Sequence, residues 1–281
     1  MLSGASHADR SRKKSFLKKD KNAPSIVLVG SGNVGSQLGK RLYKRGQNVV
    51  QVFSRKAEKA HRLGDAIKAN WTDDLNKIVP DADLYILGIH DDFIDNVAAK
   101  LSKIIDSKSL ITHTSGATPS TVFKPYFKRY GVFYPLQTFN IAKTPNWANI
   151  PVCLHTNRKA DLEILQKIAD RISRRVYQLN DKKRGVAHVA AVFANNFSNH
   201  VYSIASDILE KEELPFDFIR PLILETAEKM KTGNPKAMQT GPAVRGDEET
   251  IERHLKYLKK NKDWEAAYKL LSDQISKSNK S

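Results

Sequence analysis

A single cysteine, Cys153, in 281 residues excludes an intrachain disulfide and a cysteine-based zinc cluster. That scarcity fits a reducing compartment, and the position of the thiol in the strand-like run PVCLHT predicts a core residue. Long apolar runs are missing too. No stretch approaches the roughly 18 residues of a membrane span, and the first 22 residues lack the apolar centre of a secretory signal; a cytoplasmic protein without a membrane partner is expected. There is no HExxH, Walker-type phosphate loop, nucleophile elbow or EF-hand pattern, so neither a metal site nor metalloprotease, NTPase, serine hydrolase or calcium-binding chemistry is expected. Acidic residues are in short supply, 30 against 47 lysines and arginines. Of the net +17, residues 1–22 contribute +5 (seven basic, two acidic) and residues 256–281 contribute +4 (seven basic, three acidic), leaving 17 − 5 − 4 = +8 for the middle. Ser- and Lys-rich ends of this kind read as solvated or disordered tails. With no aromatic-interleaved patch beside them, nucleic acid is not the expected partner.

What is present begins at Pro24, where short β-branched runs alternate with amphipathic stretches, the pattern of a mostly parallel sheet covered by helices. Strands are predicted at SIVLVG, NVVQVF, ADLYILGI, SLITHT, GVFYPL, PVCLHT and RVYQLN. Between the last two, Leu162, Leu165, Ile168 and Ile172 recur at helical spacing, as in a crossover helix. After about Asn180 the strand signals stop. Helices are predicted over 183–212, 217–231, after Asp247 and over 264–276, with breaks at Leu214-Pro215 and Gly233-Asn234-Pro235. The expected organisation is a basic tail over 1–22, an α/β Rossmann-type domain over 23–180 and an all-helical domain over 181–281.

The chemistry is concentrated at the ends of the predicted strands, where open parallel sheets bind their ligands. Gly30-Ser31-Gly32-Asn33-Val34-Gly35 follows the buried strand IVLV and opens an amphipathic helix, the context that turns a weak GxGxxG into a dinucleotide-binding signal. Gly30 permits the tight turn, Gly32 lets backbone approach a pyrophosphate, and Gly35 lets helix and strand touch, while the helix N-terminus offers free N–H groups to the anion. The second strand ends in Ser54-Arg55-Lys56, where an NAD site would place an acid for the ribose 2′-hydroxyl. A hydroxyl and a planar cation suit a 2′-phosphate instead, so NADP is favoured over NAD, although Arg55 and Lys56 also read simply as the start of an exposed loop. Three further strand ends carry His90-Asp91-Asp92, then His113 with Ser115-Gly116, and Gln137-Thr138. Singly these read as polar groups satisfying a loop; together they describe a polar cleft.

The segments HTSGA, YPLQTF, His188–Asn196 and TGPAVRGD resemble the bacterial Rossmann-like proteins that carry the C-terminal domain of unknown function 2520. That group is similar to the deazaflavin-dependent NADP reductases, the pyrroline-carboxylate reductases and the wider 6-phosphogluconate dehydrogenase-like superfamily. The resemblance covers nearly the whole chain after the tail. It implies a Rossmann domain, a helical C-terminal dimerisation domain, a homodimer and an NADP-linked oxidoreductase. One departure is visible: Tyr134 stands where a His is expected before Pro-Leu-Gln-Thr-Phe. In related β-hydroxyacid dehydrogenases the first helix after the Rossmann domain supplies a Lys, with an Asn one turn later; the equivalent helix here has no Lys at that place.

At regular helical spacing Arg184, His188, Asn195 and Asn199 share one face. His188 is the candidate general acid/base, since an imidazole is the side chain suited to proton transfer near neutral pH; a His on an apolar face also reads as a satisfied core residue. Asn195 or Asn196 is the candidate substrate-positioning amide, with Gln137, Thr138, Asn199 and Arg245 as further substrate contacts. Arg245 suits either an acidic substrate group or a subunit interface, and Asp247 is placed to N-cap the helix that follows. The expectation is an NADP-dependent oxidoreductase that moves a hydride between nicotinamide and a small carbonyl or imine held between the two domains. A dinucleotide-binding sensor or scaffold without turnover is the alternative. A nucleic-acid binder acting through the tails is the third reading.

Overall fold

Runs of alternating apolar residues build the sheet. In the computed structural model, which describes residues 23–279, the strands are β1 (Ser25–Val29), β2 (Asn48–Phe53), β3 (Asn70–Thr72), β4 (Leu84–Leu87), β5 (Leu110–His113), β6 (Tyr130–Pro135), β7 (Pro151–Thr156) and β8 (Arg175–Gln178). They form one eight-stranded sheet in the order β3-β2-β1-β4-β5-β6-β7-β8. Every pairing is parallel except β6 with β7. That exception follows from the connection: Leu136–Ile150 contains only a short 3-10 turn, not the crossover helix that a parallel return requires. All seven predicted strands are found. The unpredicted one, β3, is a three-residue edge strand whose Asn70 and Trp71 are exposed.

Both faces of the sheet are buried, as a parallel sheet demands. On β1, Ile26 and Leu28 pack into one apolar cluster and Val27 and Val29 into the other; on β4, Leu84 and Ile86 part from Tyr85 and Leu87 in the same way. The first cluster is closed by α1 (Asn33–Lys44), α2 (Ala57–Ile67) and α4 (Lys159–Ile172), through Leu38, Leu42, Leu63, Ile67, Leu165 and Ile168. The second is closed by α3 (Ile94–Leu101) and by Phe123. Burying each such Leu or Ile contributes about 1.5–3 kcal/mol. One buried ion pair ties α4 to the sheet: Arg129 Nη2 lies 2.6 Å from the carboxylate of Asp161, whose side chain is 2% exposed.

The chain then turns helical: α5 (Asp181–Ala191), a π-helical turn (Val192–Phe197), α6 (Ser198–Lys211), α7 (Arg220–Lys229), α8 (Pro242–Arg245), α9 (Glu248–Leu258) and α10 (Lys262–Asn279). The single helix predicted over 183–212 is thus three segments. Across Val192–Phe197 the ladder runs i→i+5, so regular spacing does not carry through it, and the common face predicted for Arg184, His188, Asn195 and Asn199 has to be corrected. The C-terminal basic stretch is not a loose tail, because its described residues belong almost entirely to α9 and α10. The tail predicted over 1–22 lies outside the described residues.

By compactness the chain divides after Val192. The strands end at Gln178, but α5 is hydrogen-bonded to the sheet's loops and belongs with them. Among the described residues no helix is long and apolar enough to cross a membrane.

Candidate active site

β1 delivers the chain into a turn built from backbone alone. Gly30 has φ +116°, and a Cβ there would stand 2.4 Å from the carbonyl oxygen of Gly88. At Gly35, in the first turn of α1, a Cβ would stand 2.1 Å from the Gly30 carbonyl oxygen, so helix and strand meet with no side chain between them. Gly32 differs, because a Cβ there would meet nothing within 4 Å. Beside this open space the N-terminus of α1 has neither a side-chain cap nor an acid in its first turn, which leaves its first N–H groups and the positive end of the helix dipole for an anion. Ser31 Oγ is buried with no hydrogen-bond partner among the described residues. Open space, free N–H groups and an orphaned hydroxyl are what a pyrophosphate fits.

At the end of β2, Ser54 is buried and its N–H donates to the Thr72 carbonyl at 3.1 Å. Arg55 and Lys56 are exposed, and the Arg55 guanidinium lies 4.9 Å from the ring centroid of Phe93, itself 45% exposed. Phe93 was not singled out from sequence; its signal was an aromatic side chain just past β4, beside His90-Asp91-Asp92. His90 is exposed and contacts Asp92 (3.3 Å).

The loop after β5 is ordered by Ser115. Its hydroxyl donates to Asp91 at 2.6 Å and accepts from the N–H groups of Ala117 and Thr118 (3.1 and 2.9 Å). The Ser115 N–H donates to His113 Nδ1 at 3.1 Å. His113 is fully buried, and burial, reinforced by the Arg184 charge, brings its pKa down to about 4, so the ring is neutral.

α5 is fastened beneath this loop by Arg184, 1% exposed, which donates to the carbonyl oxygens of Gly116 and Thr118 and to Asp181. Asp181 also accepts from the Ser120 N–H and hydroxyl, both at 2.9 Å. Burial alone would raise the Asp181 pKa, but the hydrogen bonds from Arg184 and Ser120 outweigh it and hold the carboxyl below its ordinary value. One turn on, half-buried His188 places Nδ1 3.1 Å from the Tyr134 hydroxyl, their rings edge to face. A Cβ on Gly116 would stand 2.5 Å from the same nitrogen, so the imidazole rests on the Gly116 backbone. Burial, with Cys153 behind it, pushes the Tyr134 phenol up to about 12.

The structure therefore brings Ser115, Gly116, Tyr134 and His188 together. Gln137 is exposed and turned onto its own loop, accepting from the Thr138 N–H at 2.9 Å. Asn195, Asn196 and Asn199 are exposed side chains of the second compact unit. Arg245 is there too, exposed and 3.7 Å from Asp247, while Asp247 caps α9 by accepting from the Thr250 N–H at 3.1 Å. The Tyr134 departure is legible in the sequence, but its partner is not, since 54 residues separate Tyr134 from His188.

A glycine turn of this geometry at the carboxyl edge of a mostly parallel sheet defines a Rossmann-type protein. Residues 150–275 match the family model described as domain of unknown function (DUF2520), and residues 25–116 match the one described as NADP oxidoreductase, coenzyme F420-dependent. Among solved structures, the chain is similar to a protein provisionally described as an NADP oxidoreductase from Bacteroides fragilis, at 38% identity and a TM-score of 0.86, over 91% of this chain and 98% of that one. A protein from Thermotoga maritima is 22% identical with a TM-score of 0.77, over 91% of this chain and 100% of the other. The 1-pyrroline-5-carboxylate reductase of Streptococcus pyogenes shares the fold at 14% identity and a TM-score of 0.60, over 93% and 100% of the two chains. No curated protein matches the sequence. The chain belongs to the oxidoreductase family that these matches define, in which an NADP oxidoreductase-like Rossmann domain is followed by the domain of unknown function 2520.

Proposed function

We propose that this protein is an NADP-dependent oxidoreductase that reduces the carbonyl or imine of a small substrate, or runs the reverse reaction, with His188 as general acid/base. The observation that carries the proposal is the Tyr134–His188 hydrogen bond on the Gly116 backbone, in the same compact unit as the glycine turn. The nicotinamide, when bound, supplies or takes the hydride. The chain's own residues do the rest. The N–H groups at the start of α1 and the open side of Gly32 hold the pyrophosphate, and Ser54, Arg55 and Lys56 hold the 2′-phosphate.

During reduction the imidazolium of His188 keeps its Nδ1–H on the Tyr134 oxygen and gives its Nε2 proton to the substrate oxygen or nitrogen. The neutral ring left behind still donates from Nδ1 and presents Nε2 as the base for the reverse direction. The raised phenol pKa keeps Tyr134 protonated throughout. Asn195, Asn196 and Asn199, with Gln137, Thr138 and Arg245, are proposed substrate contacts, and His90 and Ser115 are proposed to line the dinucleotide. The direct test pairs binding with turnover. NADPH should bind at sub-millimolar concentration and more tightly than NADH, and Arg55→Asp should reverse that order. A screen of small carbonyls and imines should find one whose NADPH oxidation falls about a hundredfold or more in His188→Ala. If neither dinucleotide binds, the glycine-turn reading fails.

The absence of a Lys on α5 next to His188 favours a second reading, a dinucleotide-binding sensor or scaffold without turnover. Tight NADPH binding with no oxidation across the screen, unaltered by His188→Ala, selects that reading. We also propose a homodimer formed through the second unit, supported by the exposure of Phe218, Leu222, Leu224 and Leu270 there, each above half. A cytoplasmic setting goes with it, in keeping with the free thiol of Cys153.

A further inference from the structure

The helix that begins at the glycine turn ends at a different kind of place. Within the first compact unit, at the C-terminal ends of α1 and α4, lies a cavity of about 420 Å³. Arg41 and Arg45 line it from the end of α1, Asp170, Arg171 and Ile172 from the end of α4, and Arg174 from just beyond. Arg171 has an interaction of its own; the other three guanidiniums and one carboxylate leave 3 − 1 = 2 positive charges on the lining. The carboxylate of Asp170 accepts from the Gln166 amide at 2.9 Å.

Arginines at helix C-termini often serve only to satisfy the last carbonyls. Arg41 does so, its Nε and Nη2 donating to the Ile172 carbonyl oxygen at 3.0 and 2.7 Å. That task does not extend to its neighbours. Among the described residues neither Arg45 nor Arg174 has a carboxylate within ion-pair distance, and Arg45 Nε is buried with no hydrogen-bond partner at all. The crowding is felt at Arg41, whose pKa is brought down to about 10 by burial and by the Arg45 charge. The orphaned Arg45 donor and the exposed Arg174 guanidinium are groups that a bound anion would satisfy.

We propose that this cavity is a second anion site, which takes the phosphoryl group of a small phosphate ester or pyrophosphate and is separate from the dinucleotide turn. Planar guanidinium forks match the oxygens of a phosphoryl group, and a lining charge of this size selects a multiply charged anion over a monocarboxylate. The volume lies within the range of small-ligand pockets. The 12 residues of α1 place it about 18 Å from the glycine turn, too far for one phosphate to serve both.

The test titrates inorganic pyrophosphate into the full-length protein by calorimetry, with NADPH present at saturation so that the glycine turn is occupied. If NADPH does not bind, Gly32→Asp closes the turn instead, and the two proposals are judged apart. The expected result is saturable binding to one site, weakened about tenfold or more in Arg45→Gln/Arg174→Gln, with the melting temperature of the free protein and the NADPH affinity unchanged. Should the double variant fail to fold, Arg174→Gln alone carries the same expectation. Pyrophosphate that does not bind at millimolar concentration, or binds equally well to the variants, overturns the proposal. So does a single-stranded oligonucleotide that binds in an Arg45- and Arg174-dependent way while pyrophosphate does not, since the surface would then be a nucleic-acid track.

Discussion

Tyr134 stands where relatives are expected to keep a His, and its contact with His188 says what a phenol does there. With its pKa pushed up to about 12, it stays protonated near neutrality, and in the proposed mechanism it fixes which ring nitrogen faces the substrate. Tyr134→Phe should therefore leave NADPH affinity unchanged and lower turnover about tenfold. The ¹⁵N spectrum of His188 should show a mixture of neutral tautomers where the parent shows the Nδ1–H form; an unmixed spectrum would sink the positioning role. His113 makes a second prediction at this scale. Its folded pKa, about 4 against 6.5 unperturbed, is depressed, so the unfolded chain binds the extra proton between those values. Stability is fully present above pH 6.5 and declines as pH falls toward 4, by roughly 3 kcal/mol at most. Melting temperatures across that window should flatten in His113→Gln relative to the parent. Neither role was legible in the sequence, because both depend on groups brought together by the fold: Arg184 beneath His113 and Tyr134 beside His188.

Among elements, the turn between β1 and α1 separates folding from binding. Gly35→Ala drives a methyl onto the Gly30 carbonyl oxygen and should lower the melting temperature by several degrees, a cost of about 1–3 kcal/mol. Gly32→Ala meets open space, so it should melt with the parent yet bind NADPH about tenfold more weakly. Equal effects of the two substitutions on melting would contradict this division. The turn itself was readable, as were seven strands, because a buried strand before GxGxxG and period-two apolar runs are local patterns. β3 was not: three residues with two side chains exposed leave no periodicity to detect. The π-helical turn escaped as well, since VFANNF fits α-helical spacing and the extra residue in its ladder has no compositional mark. The ion pair between Arg129 and Asp161 also lies beyond local reading. Asp161→Ala would leave the Arg129 guanidinium without its carboxylate at the start of β6, and urea melts should show a loss of about 3 kcal/mol or more.

For the whole molecule the weight of burial is uneven. The first unit holds both large apolar clusters, whereas in the second only Ala243 and Leu258 are buried among the described residues. Phe218→Glu combined with Leu222→Glu should convert the proposed dimer to a monomer by light scattering, while NADPH still binds the first unit; an unchanged mass places the interface elsewhere. The same imbalance has a calorimetric meaning. A helical unit that buries so little within one chain would expose little new apolar surface on melting, so alone it would have a small heat-capacity change and no sharp transition. Any cooperativity it shows must be borrowed from surfaces that cover it, and mass action then makes its melting temperature climb with protein concentration.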